Sequence, residues 1–230
     1  MDERTSQEEL NAIYKQSDIE DQIRTAIAII KNGGTVVYPT ETVYGLGADA
    51  FSEEAVRAVY ELKRRDLSQP ISIAVSSFEM LHKVAYVDSE SVEIITELLP
   101  GPVTVLLRKK EVVPDVLTAA SEVVGVRFPD NAIATGIIEE TGPITATSAN
   151  VSGRNPPTCV EEVEIKAGII INGGKCKYSM PSTVVDMVTA NKDKAKIKIE
   201  IKRRGACYDR VLHVLRSKSA GKGVHGLPMP

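Results

Sequence analysis

The stretch Thr35-Val36-Val37-Tyr38-Pro39-Thr40-Glu41-Thr42-Val43-Tyr44-Gly45-Leu46-Gly47-Ala48 decides how the chain is read. Thr35–Tyr38 is rich in β-branched and aromatic residues, the composition of a short strand. Pro39 has a fixed φ and no N–H to donate, so the strand ladder is expected to stop there. Ser52-Glu53-Glu54-Ala55 then supplies a helix start, with a capping hydroxyl and two acids in the first turn. Pro39–Ala48 therefore reads as a strand-to-helix turn crowded with hydroxyls, a carboxylate, a phenol and two glycines. In α/β proteins such turns face the ligand crevice. Gly45 and Gly47 are expected to supply φ > 0 or to let a ligand approach the backbone.

Working outward, helices and strands alternate. Ile19, Ile23, Ala26 and Ile30 recur at helical spacing before Asn32-Gly33-Gly34. The helix after Ser52 buries Ala55, Val56, Val59 and Leu62 and runs into Lys63-Arg64-Arg65. Further strands are expected at Ile71–Val75, Val103–Lys109, Val123–Phe128, Ile144–Thr147, Gly168–Ile171 and Ser182–Val188. Further helices are expected near Phe78–Val84, Ser89–Leu99, Ala132–Glu140, Val160–Lys166 and Asp209–Arg216. Ile197, Ile199 and Ile201 alternate with polar residues, a strand with one wet face after a turn at 191–194. The interleaving defines an α/β class: a twisted mixed sheet, partly antiparallel, flanked by helices. We read one domain over 19–216, between a flexible N-terminal segment 1–18 and a flexible Gly- and Lys-rich tail 217–230.

Composition narrows the function. The chain has 230 residues, 43% of them apolar, enough for a substantial core. No apolar run approaches the roughly 20 residues that cross a bilayer, and a cytoplasmic location is expected. Cys159, Cys176 and Cys207 are too scattered for a staple or a zinc site. The three histidines fall in no hydrolase or metal motif. A formal net charge of −3 argues against nucleic-acid binding by bulk charge.

What remains is a set of loop residues suited to anions: Thr40, Thr42 and Tyr44; Lys63 and Arg65; Arg127; Ser148 and Asn150; Ser182, Thr183 and Arg203. Hydroxyls, amides and cations without a His or Cys nucleophile suit phosphate and carboxylate recognition and catalysis by positioning. The bland reading stands beside this one. Thr40 and Thr42 could satisfy local backbone, and Lys63-Arg64-Arg65 could complement a helix dipole. The chain contains neither GxxxxGK[ST] nor GxGxxG.

Taken together, Pro39–Gly47, Lys63-x-Arg65, Val126-Arg127-Phe128-Pro129, Ser148-Ala149-Asn150 and Pro181–Asp186 resemble the YrdC/TsaC family of threonylcarbamoyl-AMP synthases, in order over about residues 20–210. The resemblance implies a YrdC-like fold with a concave basic pocket. It implies a nucleotidyltransferase that joins L-threonine, bicarbonate and ATP into threonylcarbamoyl-AMP and pyrophosphate. The product would serve the N6-threonylcarbamoyladenosine modification of tRNA through a separate transferase. It further implies catalytic roles for Lys63, Arg65, Ser148 and Asn150, with ATP held by these and by Pro156 and Arg203. Thr40, Thr42, Tyr44, Arg127 and Ser182 would hold L-threonine, and Mg2+ would arrive with the triphosphate. The alternative is a module of the same fold that binds double-stranded RNA or tRNA. Two positions depart from the family pattern. Ala74 stands near where relatives often carry a His, and Arg203-Arg204-Gly205 replaces the usual Arg-Pro-Gly.

Overall fold

The computed structural model describes residues 19–188 and 199–219. The expected flexible segment 1–18, the turn at 191–194, Ile197 and residues 220–230 of the expected tail 217–230 lie outside the described residues, while 217–219 continue the last helix.

Helix α1 spans residues 19–31. It is followed by β1 (Val36–Tyr38), β2 (Gly45–Gly47), α2 (Glu53–Lys63), β3 (Ser72–Ala74), α3 (Phe78–Val84), β4 (Ala85–Tyr86), α4 (Ser89–Leu98) and β5 (Val103–Lys109). Then come α5 (Asp115–Thr118), β6 (Val123–Arg127), α6 (Ala132–Thr141), β7 (Ile144–Ser148), β8 (Ile169–Ile170), β9 (Thr183–Asp186), β10 (Glu200–Arg203) and α7 (Tyr208–Ser219). The strands form one mixed sheet in the order β10-β9-β5-β6-β3-β7-β2-β1-β8, with β4 added to β5. Pairs β1/β8, β3/β6 and β5/β9 are parallel and the rest antiparallel.

Strand alternation gives the sheet two apolar faces. Val37, Ile73, Val105, Val126 and Val185 join the larger cluster with α2, α3, α4 and α7. Val36, Tyr38, Ala74 and Ile144 face the other way, under Ala26 and Ile30 of α1 and Ala134, Ile137 and Ile138 of α6. Helix starts form where capping residues allow: Ser52, Ser77 and Asn131 accept from the N–H groups of Ala55, Met80 and Ala134.

Two expectations are corrected. Pro39–Ala48 is not a bare strand-to-helix turn: β1 and β2 form an antiparallel hairpin in which Tyr38 faces Gly45 and Val36 faces Gly47. The glycines make room for an aromatic ring. A Cβ at Gly45 would stand 2.7 Å from Tyr38 Cζ, and one at Gly47 2.9 Å from Tyr38 Cε1. The Tyr38 ring is fully buried and its hydroxyl donates to the Thr145 carbonyl at 3.3 Å, so it has nowhere to move. Gly45→Ala is therefore expected to cost about 1–3 kcal/mol of stability by overpacking. Urea unfolding checks this, and an unchanged midpoint would mean that the ring yields freely.

The second correction concerns 160–166, where only a single 3₁₀ turn forms, Val160–Glu162. The Glu162 carboxylate accepts from the Thr158 N–H and hydroxyl, which closes a tight turn. Val163 is already extended and Ile165 is buried, so the chain turns towards β8 without making a longer helix. No helix among the described residues is long and apolar enough to cross a membrane.

Candidate functional site

The sheet register aligns the residues that floor one cavity, four of them polar. Tyr38, Gly45 and Ser148 lie side by side across β1, β2 and β7. Ala74, Arg127, Thr104 and Val184 lie side by side across β3, β6, β5 and β9. These residues floor a cavity of about 260 Å³ on the α1/α6 face of the sheet. Thr40, Tyr44, Arg65, Pro156, Pro181, Ser182 and Arg203 complete its walls. Eight of the residues singled out from the sequence thus meet in one cavity: Thr40, Tyr44, Arg65, Arg127, Ser148, Pro156, Ser182 and Arg203.

One wall is the hairpin loop. The Thr40 hydroxyl donates to the Val43 carbonyl at 2.7 Å and lies 2.9 Å from that of Thr42. The Arg127 guanidinium donates through Nη2 to both Thr40, at 3.2 Å, and Thr42. The same nitrogen stands 3.0 Å from Glu41 Oε1. Thr42 itself does not line the cavity; it holds Arg127 from behind. The Tyr44 hydroxyl donates to the Gly174 carbonyl at 2.7 Å and accepts from the Gly173 N–H at 3.2 Å, pinning the loop after β8. Burial pushes the Tyr44 phenol up to about 12, so it remains a donor at neutral pH.

The opposite wall is built by the end of α2. Arg64 adopts the left-handed conformation, with φ 48°. Its N–H donates to Glu61 O and that of Arg65 to Tyr60 O, the paired bonds of a Schellman turn. This turn sends the two neighbouring cations in different directions. Arg65 reaches the cavity while its Nε and Nη2 donate to the carbonyls of Gln69 and Pro70. Lys63 turns inward, is 1% exposed, and donates through Nζ to the carbonyls of Ser148 and Asn150. The expected Lys-x-Arg pair is therefore divided. Arg65 is a cavity cation, and Lys63 braces the strand end that carries Ser148. Burial, with Arg65 adding to it, lowers the Lys63 ammonium to about 8.

Asn150 also stands outside the main cavity. It lines an adjoining one with Arg154, Asn155, Thr158 and Glu164, and Pro156 borders both. Its Nδ2 donates to the carbonyls of Val151 and Arg154, at 3.0 and 2.7 Å.

At the third wall the Ser182 hydroxyl lies 2.8 Å from that of Thr104 and accepts from Arg203 Nη2 at 3.1 Å. Arg203 Nε donates to the Ser182 carbonyl at 3.0 Å. Arg204 points elsewhere, over the Tyr208 ring at 4.9 Å, so Arg203 is the cavity arginine of the pair. Burial first, and then Arg127, pulls the Arg203 guanidinium below its ordinary value. Ala74 lies on the cavity floor. Thr104 was missed by sequence reasoning. The available signal was one hydroxyl inside the apolar run Val103–Leu107. No group of three or more His, Cys, Asp or Glu among the described residues could hold a metal.

The mixed sheet thus carries a cavity lined by three arginines and several hydroxyls, side chains of the kind that suit anionic groups. The chain belongs to the Sua5/YciO/YrdC family, whose model, described as telomere recombination, matches residues 28–205. A Methanocaldococcus jannaschii relative is 43% identical over 162 residues, 68% of this chain and 75% of its own length. The threonylcarbamoyl-AMP synthase of Pyrococcus abyssi is 42% identical over 174 residues, 73% of this chain. That of Bacillus subtilis is 35% identical over 176 residues, 72% of this chain. The matched region spans only 51% and 50% of those two relatives. Among solved structures, P. abyssi Sua5 complexed with L-threonine matches with a TM-score of 0.78 and 37% identity, over 90% of this chain and 59% of that one. E. coli YciO matches with a TM-score of 0.67 at 24% identity, which speaks to the fold alone.

Proposed function

We propose that this chain is an L-threonylcarbamoyladenylate synthase. It condenses L-threonine, bicarbonate and ATP into threonylcarbamoyl-AMP, releasing pyrophosphate and water. The observation that carries the reading is the meeting of two kinds of anion-binding wall in one cavity. Thr40 and Arg127 form one, and Arg65, Ser148 and Arg203 the other. The names of the Pyrococcus and Bacillus relatives and the L-threonine complex of P. abyssi Sua5 support it.

In this reading the amino-acid carboxylate lies on Arg127, beside the Thr40 hydroxyl, since guanidinium forks suit carboxylates. The threonine amine adds to bicarbonate to give a carbamate, with loss of water. A carbamate oxygen then attacks the α-phosphorus of ATP, the P–O bond to the β-phosphate breaks, and pyrophosphate leaves. Both reacting groups are anionic, so the residues act by holding them together against repulsion. Arg65 and Arg203 draw charge from the phosphates, and Ser148 bonds a phosphate oxygen. Ser182, bonded to Arg203, sits where the two ends meet. Lys63 positions Ser148 and Asn150 through their carbonyls. Asn150 and Pro156, at the adjoining cavity, face the nucleoside end of ATP. Thr42 and Tyr44 hold Arg127 and the loop after β8 in place. Mg2+ brought in with ATP would supply further charge neutralisation beside Arg65 and Arg203. The domain is residues 19–216, working in the cytoplasm, with a separate transferase passing the product to tRNA.

The test is pyrophosphate release by purified protein. Release that requires L-threonine and bicarbonate together is expected. Release indifferent to both, or none at all, would sink the reading.

A further inference from the structure

Glu41 has no part in the chemistry above, yet it is among the most enclosed acids of the described residues. The residue is 4% exposed, and neither carboxylate oxygen has a hydrogen bond. Its charge is met by Arg127 Nη2 at 3.0 Å, an ion pair by distance. Arg127 is 9% exposed and its Nε is also without a partner. Enclosing a carboxylate beside an arginine meant for a ligand carboxylate weakens the pull on that ligand. A pocket that simply gripped anions would do better without it.

The other two cavity arginines are arranged differently. Arg65 donates to the carbonyls of Gln69 and Pro70, and Arg203 to the Ser182 carbonyl and hydroxyl. Among the described residues neither has a carboxylate within ion-pair distance. The cavity thus holds one compensated guanidinium and two uncompensated ones.

We infer that Glu41 is a specificity-determining counter-charge. It makes the Arg127 end locally neutral, so that this end takes a net-neutral zwitterion, and it leaves the attraction for phosphates to Arg65 and Arg203. The inference rests on the proposed division of the cavity into amino-acid and phosphate ends. Glu41 is a positioning residue that acts through Arg127. Without it ATP phosphates, pyrophosphate and other anions compete for the amino-acid end.

Glu41→Gln keeps the shape and removes the charge. In this variant ATP itself is expected to compete for the amino-acid end, so that at saturating ATP the apparent KM for L-threonine rises about tenfold, while the KM for ATP is little changed. Sulfate, as a phosphate probe, is expected to become a competitive inhibitor against threonine. Thermal-shift titrations supply a readout that needs neither threonine nor turnover: the variant gains an additional sulfate-dependent stabilisation that wild type lacks. A Glu41→Gln protein with wild-type threonine KM and wild-type sulfate response overturns the inference. Wild type itself provides the second arm, because sulfate and threonine should stabilise it additively. Competition between them in wild type also overturns it, whether or not the variant folds. Failure of threonine-dependent pyrophosphate release in wild type, with the sulfate difference intact, would instead strike the proposed reaction and leave the charge assignment standing.

Discussion

An Arg127→Gln protein is expected to be about 3–5 kcal/mol less stable than wild type, and not merely slow, because it leaves the Glu41 carboxylate buried without its counter-charge. Nothing else in the surroundings takes that charge over, since neither Glu41 oxygen has a hydrogen bond. The Thr40 and Thr42 hydroxyls lose their shared donor at the same time. Threonine-dependent turnover should fall with the stability. The double variant Glu41→Gln/Arg127→Gln separates the two effects. It should recover most of the lost stability, since the enclosed charge is gone, and should not recover turnover. Chemical unfolding of the four proteins of this cycle gives the coupling directly. Additive losses would mean that Glu41 and Arg127 do not act as a pair.

The second large effect is expected at Lys63. Lys63→Met keeps the apolar stem and deletes the ammonium that joins Ser148 O and Asn150 O. Two enclosed carbonyls lose their donor, which costs about 2 kcal/mol. The end of β7 then loosens, and a shift of the phosphate-binding groups by an ångström or so is expected to lower kcat/KM about 100-fold. The pH dependence identifies the group. The folded-state ammonium sits at about 8 and the ordinary value is 10.5. Between these values the unfolded chain binds the proton that the folded chain has released. Lys63 therefore makes wild-type unfolding free energy rise with pH across that window. Below about 8 both states are protonated and its contribution to the slope vanishes. Lys63→Met should lose this alkaline rise. A variant that keeps it would show that another group titrates there.

Much of the frame was legible in the sequence because it follows local rules. The cap at Ser52 and the buried runs of β3, β5, β6 and β7 lie within a residue or two of their expected places. The antiparallel return of β10 along β9 was legible from the alternation that ends at Ile201. Strand β2 was not. Gly-Leu-Gly has low strand propensity and becomes a strand only because β1 and β7 pair with it from either side. The 3₁₀ turn at Val160–Glu162 likewise depends on Glu162 reaching back to Thr158.

The site divides along the same line. Residue types suited to anions could be picked out by chemistry, and most of them do meet in one cavity. Which way each side chain points could not be read from spacing. Lys63 and Arg65 are separated only by a left-handed Arg64, a conformation that sequence does not announce for an arginine. Thr42 turned out to lie behind the cavity on Arg127, whereas Tyr44 lines it and also pins the loop after β8. The Glu41 carboxylate was visible in the loop, but its burial against Arg127 emerged only when β6 was placed beside β3 and β5.

The central claim is that one cavity unites an amino-acid carbamate with the α-phosphorus of ATP. It is tested most directly by supplying L-threonine, ATP and ¹³C-bicarbonate to the purified protein and following the products by ¹³C and ³¹P NMR. The account predicts a labelled carbonyl carbon coupled to the phosphorus of an adenylate, formed together with pyrophosphate. Label that stays in bicarbonate, or cleavage of ATP to ADP and inorganic phosphate, would contradict it.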